Sequence, residues 1–295
     1  MAISKFPSTV FLPPIKKPYP TILEFLIQRF PKIRKEIWKE RIQDGKITNF
    51  NGVSINFQTN YEPGLRLQYF REVKKEPVIP FKETILYEDD EFIIVDKPHF
   101  LPVTPSGPYV NECLLNRLKD ITCNTDITPV NRIDMDTAGL VIFSCNPKTR
   151  GLYHNLFMKK QIIKIYEAVT SYPSPPPQQT WTINNRIVEG SPWFRMSIGA
   201  GQPNSETEVT LIKHTDTKAF LKLYPVTGRK HQLRIHLSNI GFNIINDRLY
   251  PILHEKKPPD FKNPLQLLAK QLQFTDPVTG NIKIFSSRQK LSEFW

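Results

Sequence analysis

Hydrophobic and polar positions change their period several times along the chain. The first 20 residues are rich in proline and show no regular pattern. From Thr21 the apolar positions Ile22, Leu23, Leu26, Ile27 and Phe30 fall on one stripe, which predicts a helix. Pro31 interrupts it and suits the first turn of a second helix whose apolar face is Ile33, Ile37, Trp38 and Ile42. Gly45 is a C-terminal stop. KITNF and VSINF flank Asn51-Gly52, which predicts a hairpin with a two-residue turn. KKEPVIPFKE (74–83) carries two prolines, mixed charge and no period, as a linker would.

Beyond the linker, short strand-like runs dominate: TILYEDD, EFIIVDKP, GLVIFSC, IKIYEAVTSY, TWTINNRIVE, FRMSIGA, EVTLIKHT, AFLKLYPV and IKIFSS. Helical stretches intervene near 109–120, 147–159, 230–240 and 265–272. Strands and helices do not alternate strictly, so the second part is expected to be an α+β domain around a mixed, mostly antiparallel sheet. The division expected is 1–80 for the leader, small domain and linker, and 81–295 for the larger domain. A length of 295 residues agrees with two domains.

Composition narrows the class. Hydrophobic residues make up 39% and aromatics 11%, ample for two cores, which excludes a disordered or collagen-like chain. No window approaches the roughly 18 apolar residues of a membrane span. No apolar segment precedes the early prolines as a signal peptide would require. Three cysteines, Cys113, Cys123 and Cys145, without CxxC spacing argue against a disulfide framework or zinc site, and a reducing cytoplasm is expected. The charge is uneven: residues 1–80 hold 14 Lys and Arg against 7 Asp and Glu, a net +7 of the chain's +12. A basic field attracts polyanions, nucleic acid first. Lys32, Lys35 and Lys39, with Arg34 and Arg41, make one face of the second helix basic.

Two short helices, a glycine and an Asn-Gly hairpin over about residues 21–72 resemble an S4-like α/β RNA-binding domain, although Leu65 follows Gly64 where such domains read Gly-Asp. Four further segments stand out together: VDKPHFLPVTPSG (95–107), VNRIDMDTAGLVIFS (130–144), KIYEA (164–168) and TGRKHQLRIHLSNIGFNIINDRLY (227–250). With LLAKQLQFTDPVTG (267–280) they resemble, in order and spacing, the signature stretches of the RluA-type pseudouridine synthases, which isomerise uridine in structured RNA. The resemblance covers about residues 85–285.

It implies roles that the residues alone do not fix. Asp134, a turn or cap former on ordinary grounds, falls at the family's single catalytic aspartate. Arg234 falls at its ion-pair partner, which could otherwise be a phosphate contact. Tyr166 falls at the tyrosine that stacks on the flipped uracil and helps remove the C5 proton; by pattern it is a half-buried strand residue. Arg132 occupies the RNA-inserting position, where a planar guanidinium both stacks and pairs. Thr227-Gly228-Arg229 turns into a helix beginning near Lys230, a place for Arg229 and Lys230 to meet phosphate. His231 and His236 are five apart, poor spacing for a shared metal. Asn131, Met135, Ala138 and Asn246 depart from the family's usual residues but leave Asp134, Arg132, Tyr166 and Arg234 in place.

The expected function is isomerisation of a specific uridine in rRNA or tRNA by a cytoplasmic monomer with neither metal nor cofactor and no membrane association. The alternative is a catalytically silent RNA-binding or ribosome-assembly factor on the same fold. A glycosidase fits less well, because it normally needs two carboxylates across one bond.

Overall fold

A computed structural model describes residues 1–31, 33–171, 178–255 and 260–292. The chain divides into two compact units, one of Met1–Pro77 with Ser106–Asn111, the other of Val78–Pro105 with Glu112–Trp295.

In the first unit the order is β1 (Ala2–Ile3), β2 (Ser8–Phe11), α1 (Ile22–Arg29), α2 (Lys35–Gln43), β3 (Ile47–Asn49), β4 (Arg66–Tyr69) and β5 (Glu72–Val73). Thr21 caps α1 by accepting the Glu24 N–H at 3.3 Å. Ile22, Phe25 and Leu26 of α1 bury against Trp38 and Ile42 of α2 and against Ile47 and Leu67 of the sheet. Gly45 follows α2 with φ +66°, the left-handed conformation glycine adopts freely.

Three expectations need correction here. Pro31 is not in the first turn of α2, which begins four residues later with Arg34 as its cap. The Asn51-Gly52 turn exists, but VSINF forms only a single bridge, Thr48 to Ser54; β3 finds its ladder partner in β4 instead. Arg41 is not on the solvated basic face. Its guanidinium lies 5.2 Å over the Trp38 ring and 5.7 Å from that of Tyr69, where it covers the core.

The second unit runs β6 (Thr84–Glu88), β7 (Phe92–Lys97), α3 (Leu114–Thr122), β8 (Thr128–Pro129), β9 (Ala138–Ser144), α4 (Arg150–Met158), β10 (Ile163–Ser171), β11 (Thr180–Glu189), β12 (Met196–Gly199), β13 (Ser205–His214), β14 (Lys218–Pro225), α5 (Gln232–Asn239), β15 (Leu267–Thr275) and β16 (Ile282–Ser286). Nine of these strands line up as β12-β11-β13-β14-β10-β15-β9-β7-β6, with β16 added to β15 and β8 to β9. Every pairing is antiparallel except β15 with β9. The α+β fold with a mixed, mostly antiparallel sheet is therefore the observed one.

The segment 265–272 is not helical. Its leucines occur at helix-like spacing, but Leu267, Leu268, Ala269 and Leu272 are buried in β15, which is bonded to β10, β9 and β16 at the middle of the sheet. Burial on both faces removes the alternation that marks a strand in sequence, and tertiary pairing overrides local preference.

One row crosses this centre. Gly139 of β9 is in register with Ala269 of β15, which is in register with Tyr166 of β10. Gly139 has φ +108°, and a Cβ there would come within 2.3 Å of the Ala269 carbonyl oxygen. Only glycine lets β9 approach β15 this closely. Opposite, the β10–β15 register shifts between Ile165 and Tyr166, where Lys270 of β15 is the extra, unpaired residue.

Beneath the sheet, α5 is buried almost throughout. His236 is fully buried, its Nδ1 2.9 Å from Thr207 Oγ1 and its Nε2 3.0 Å from Ser205 Oγ. Burial pushes its pKa down to about 4.

Gly139→Ala should lower stability by at least about 2 kcal/mol, from strained φ plus overpacking against backbone; urea unfolding measures it, and an unchanged midpoint would contradict the close approach. For His236, the unfolded chain binds a proton near pH 6.5 whereas the folded chain resists it until about pH 4. Stability is therefore retained above pH 6.5 and lost as pH falls toward 4, by up to about 3 kcal/mol for this residue. The fall in urea midpoint over that range should be smaller in His236→Gln than in the parent.

Candidate active site

The loop 131–137, between β8 and β9, carries Asp134. Its backbone is tied at three consecutive carbonyls. The Thr137 N–H donates to the Asp134 carbonyl at 3.2 Å, Lys97 Nζ to that of Met135 at 3.0 Å, and His99 Nδ1 to that of Asp136 at 2.6 Å. Asn131 fixes the near end by accepting the Ile142 N–H of β9 at 2.8 Å. Lys97 is fully buried and also donates to the Pro98 carbonyl at 2.9 Å. Burial pulls its pKa down to about 7 against the opposing pull of Asp136 and Asp134. The Lys97–Pro98 stretch thus shapes the site by holding the Asp134 loop.

Arg234 comes up from α5 and is only 3% exposed. Its Nε and Nη2 form a two-point fork with Asp247, 2.8 Å to Oδ2 and 2.6 Å to Oδ1. The remaining Nη1 donates to Asp134 Oδ2 at 3.2 Å. Burial by itself would lower the guanidinium's pKa, but the Asp247 bonds and the charges of Asp247, Asp134 and Asp136 outweigh it and raise it. Asp247 also accepts the Leu249 and Tyr250 N–H groups through Oδ1, at 2.8 and 3.1 Å. The cation is fixed from behind, and Asp134, whose side chain is 27% exposed, presents its carboxylate to the open side.

That side is a cleft of about 760 Å³ lined by Arg132, Asp134, Lys164, Tyr166, Arg229, His231 and Arg234, with Met158, Leu233 and Leu267 among its apolar walls. Tyr166 is half-buried there. Burial first, then the Asp134 charge, raises its pKa, so the hydroxyl keeps its proton. Lys164, two residues earlier in the strand, donates to the Thr227 carbonyl at 3.1 Å, and burial lowers its pKa to about 8. The 227–232 turn is closed by Gln232, whose Oε1 accepts from Thr227 Oγ1 at 2.7 Å and from the Arg229 N–H at 3.0 Å. His231 sits at φ +55°, its Nδ1 3.0 Å from the Tyr250 hydroxyl and its Nε2 4.0 Å from Asp134 Oδ2. Burial pushes it down to about 4, so the imidazole is neutral at physiological pH.

The sequence-based set divides as follows. Asp134, Tyr166, Arg234, Arg132 and Arg229 line one cleft, with Arg132 and Arg229 exposed. Arg229 bonds the Asn204 carbonyl through Nε at 3.1 Å. Lys230 is exposed beside them, its ammonium 5.8 Å from the centre of the Trp193 ring. Lys35 and Lys39 are exposed on α2 of the first unit and are not among the cleft-lining residues. Lys32 lies outside the described residues. α5 begins at Gln232 rather than near Lys230, so Arg229 and Lys230 belong to the turn before it.

Sequence reasoning missed Asp247, the stronger partner of Arg234, although it lies in the quoted Asn-Asp-Arg-Leu-Tyr stretch. An aspartate three residues before a buried loop Tyr gives no sign of a partner 13 positions away. Asp136, the only nearby second carboxylate weighed for glycosidase chemistry, does not line the cleft, and burial raises its pKa. Among the described residues no group of three or more His, Cys, Asp and Glu is placed to hold a metal ion, and no helix is long and apolar enough to cross a membrane.

Known proteins resemble this chain in sequence and in fold. Residues 91–239 match the RNA pseudouridylate synthase family. An uncharacterized RNA pseudouridine synthase of Synechocystis sp. is 27% identical over 234 residues, 78% of this chain and 79% of that one. The dual-specificity RNA pseudouridine synthase RluA of Pasteurella multocida is 28% identical over 218 residues, 72% of this chain and 94% of its own. In fold, the solved structure of human RNA pseudouridylate synthase domain containing 1 superposes with a TM-score of 0.58 at 22% identity, covering 73% of this chain and 86% of that one. The chain belongs to the RNA pseudouridylate synthase family, in its RluA-type branch, and is an isomerase that converts uridine to pseudouridine.

Proposed function

We propose that this enzyme isomerises one uridine of a structured rRNA or tRNA, with Asp134 as the catalytic carboxylate. The observation that carries the assignment is the single bond from buried Arg234 to Asp134, with the rest of the guanidinium occupied by Asp247. The cation holds the carboxylate by one oxygen and aims it into the cleft while leaving it partly exposed.

A uridine inside a helix cannot reach Asp134, so the target nucleotide has to leave its stack at a cost of a few kcal/mol. Exposed Arg132, two residues from Asp134 on the same loop, is placed to fill the gap left behind. The flipped base meets the ring of Tyr166. Isomerisation then breaks the N1–C1′ bond, turns the base and joins C5 to C1′, and the C5 proton must leave. Asp134 assists either by attacking the sugar or the base, or by taking a sugar proton to give a glycal. The proton lost from C5 is matched by one gained at N1, and Tyr166, its hydroxyl kept protonated, packs against the base through that step. The first unit is assigned as the S4-like RNA-binding domain, in which Lys35 and Lys39 offer exposed cations to phosphate.

Asp134→Asn should reduce single-turnover formation of pseudouridine by at least about a thousandfold while RNA affinity changes less than about threefold. Asp247→Asn, which loosens the fork but keeps Asp134, should fall between that variant and wild type. Mapping pseudouridine in total RNA with and without the protein identifies the target; no altered uridine in rRNA or tRNA would overturn that substrate assignment. Replacing Lys35 and Lys39 together by Ala should lessen the slope of log affinity against log salt by roughly 0.7–0.9 per lost phosphate contact and leave the rate at saturating RNA unchanged. An unaltered slope would remove α2 from the interface.

A further inference from the structure

The turn 190–195 between β11 and β12 carries an exposed aromatic that neither the core nor the proposed chemistry uses. Trp193 is 60% exposed, with the Phe194 ring edge-on at 5.9 Å. The turn holds its shape through its own backbone: Gly190 N–H donates to the Arg195 carbonyl at 3.1 Å and Arg195 N–H to the Pro192 carbonyl at 2.8 Å. Its far end is keyed to the cleft. Arg195 lies 5.1 Å over the Tyr250 ring and donates to the Pro251 carbonyl at 3.0 Å, while the Met196 N–H donates to the Tyr250 hydroxyl at 2.7 Å. That same hydroxyl meets His231 of the cleft wall. Lys230, next in sequence to His231, places its ammonium 5.8 Å from the Trp193 ring centre.

We propose that Trp193, with Lys230 beside it, is a stacking platform for an unpaired nucleotide of the RNA substrate next to the flipped uridine. An indole offers a face to any base, and a neighbouring cation on a flexible stem is free to meet the adjoining phosphate. The charge near it suits an anion: Lys230 lies against the ring, and Arg195 is two residues along the same turn. Because the turn is anchored through Tyr250 to the wall that contains His231, a base stacked there has a fixed relation to Asp134. The platform selects for unpaired RNA, which phosphate contacts alone do not do. This inference rests on the activity proposed above.

The test is fluorescence anisotropy with a labelled RNA stem-loop containing unpaired uridines and with the fully paired duplex of the same stem. Trp193→Ala should bind the stem-loop about tenfold more weakly, the value of one base stack. Its affinity for the duplex and its salt slope should match wild type. Trp193→Phe, which keeps a flat ring, should stay within about threefold of wild type. Lys230→Ala should reduce the salt slope. Unchanged stem-loop affinity in Trp193→Ala, or equal weakening on stem-loop and duplex, would overturn the platform. Pseudouridine formation by the wild-type enzyme is scored separately, so a failure of the activity is distinguishable from a failure of this binding role.

Discussion

A guanidinium that is almost entirely out of water governs the site. Taking a cation into a low-dielectric interior is costly unless its donors are met by acceptors of opposite charge. Arg234 solves this with two carboxylates that do different work. Asp247 takes two of its nitrogens in a fork and is itself held by backbone N–H groups, so the pair is a fixed foundation. The one nitrogen left over reaches Asp134. Had Asp134 formed the fork, both of its oxygens would have been occupied; the division leaves a charged, oriented and half-open carboxylate. The demand for neutralisation of a buried charge thereby becomes a positioning device.

The same economy extends to the sheet. Asp134 lies five residues before Gly139, and Tyr166 lies across Ala269 from Gly139. The missing side chain at 139 lets β9 close on β15, and the register shift beside Tyr166 is taken up by one extra residue in β15. Lys97, Thr137 and His99 then fix the loop by its carbonyls, so a segment without regular structure is as constrained as a strand.

Much of this was legible in the sequence because it is local. Strand pattern, the helical stripe that starts after Thr21 and the ordered motifs around Asp134, Tyr166 and Arg234 are carried by contiguous residues. What escaped depends on residues far apart in the chain. β15 read as a helix because a strand buried on both faces shows no alternation. Arg41 read as a surface cation because only the folded unit brings Trp38 and Tyr69 beneath it. Asp247 was unremarkable until α5 and the following loop brought Arg234 to it. Sequence order reveals which groups are present; the allocation of one cation between two carboxylates exists only in three dimensions.

β15 has a further consequence for how the enzyme is made. It separates β9 from β10, which are neighbours in the chain but not in the sheet. During synthesis the strands that precede β15 can form two ribbons, β6-β7-β9 and β10-β14-β13-β11-β12, each left with an unsatisfied inner edge. They cannot join until residues 267–275 have left the ribosome and inserted between them. The Asp134 loop belongs to one ribbon and Tyr166 to the other. The nascent chain therefore carries all its chemistry in two unassembled halves, and the strand that unites them is translated after both.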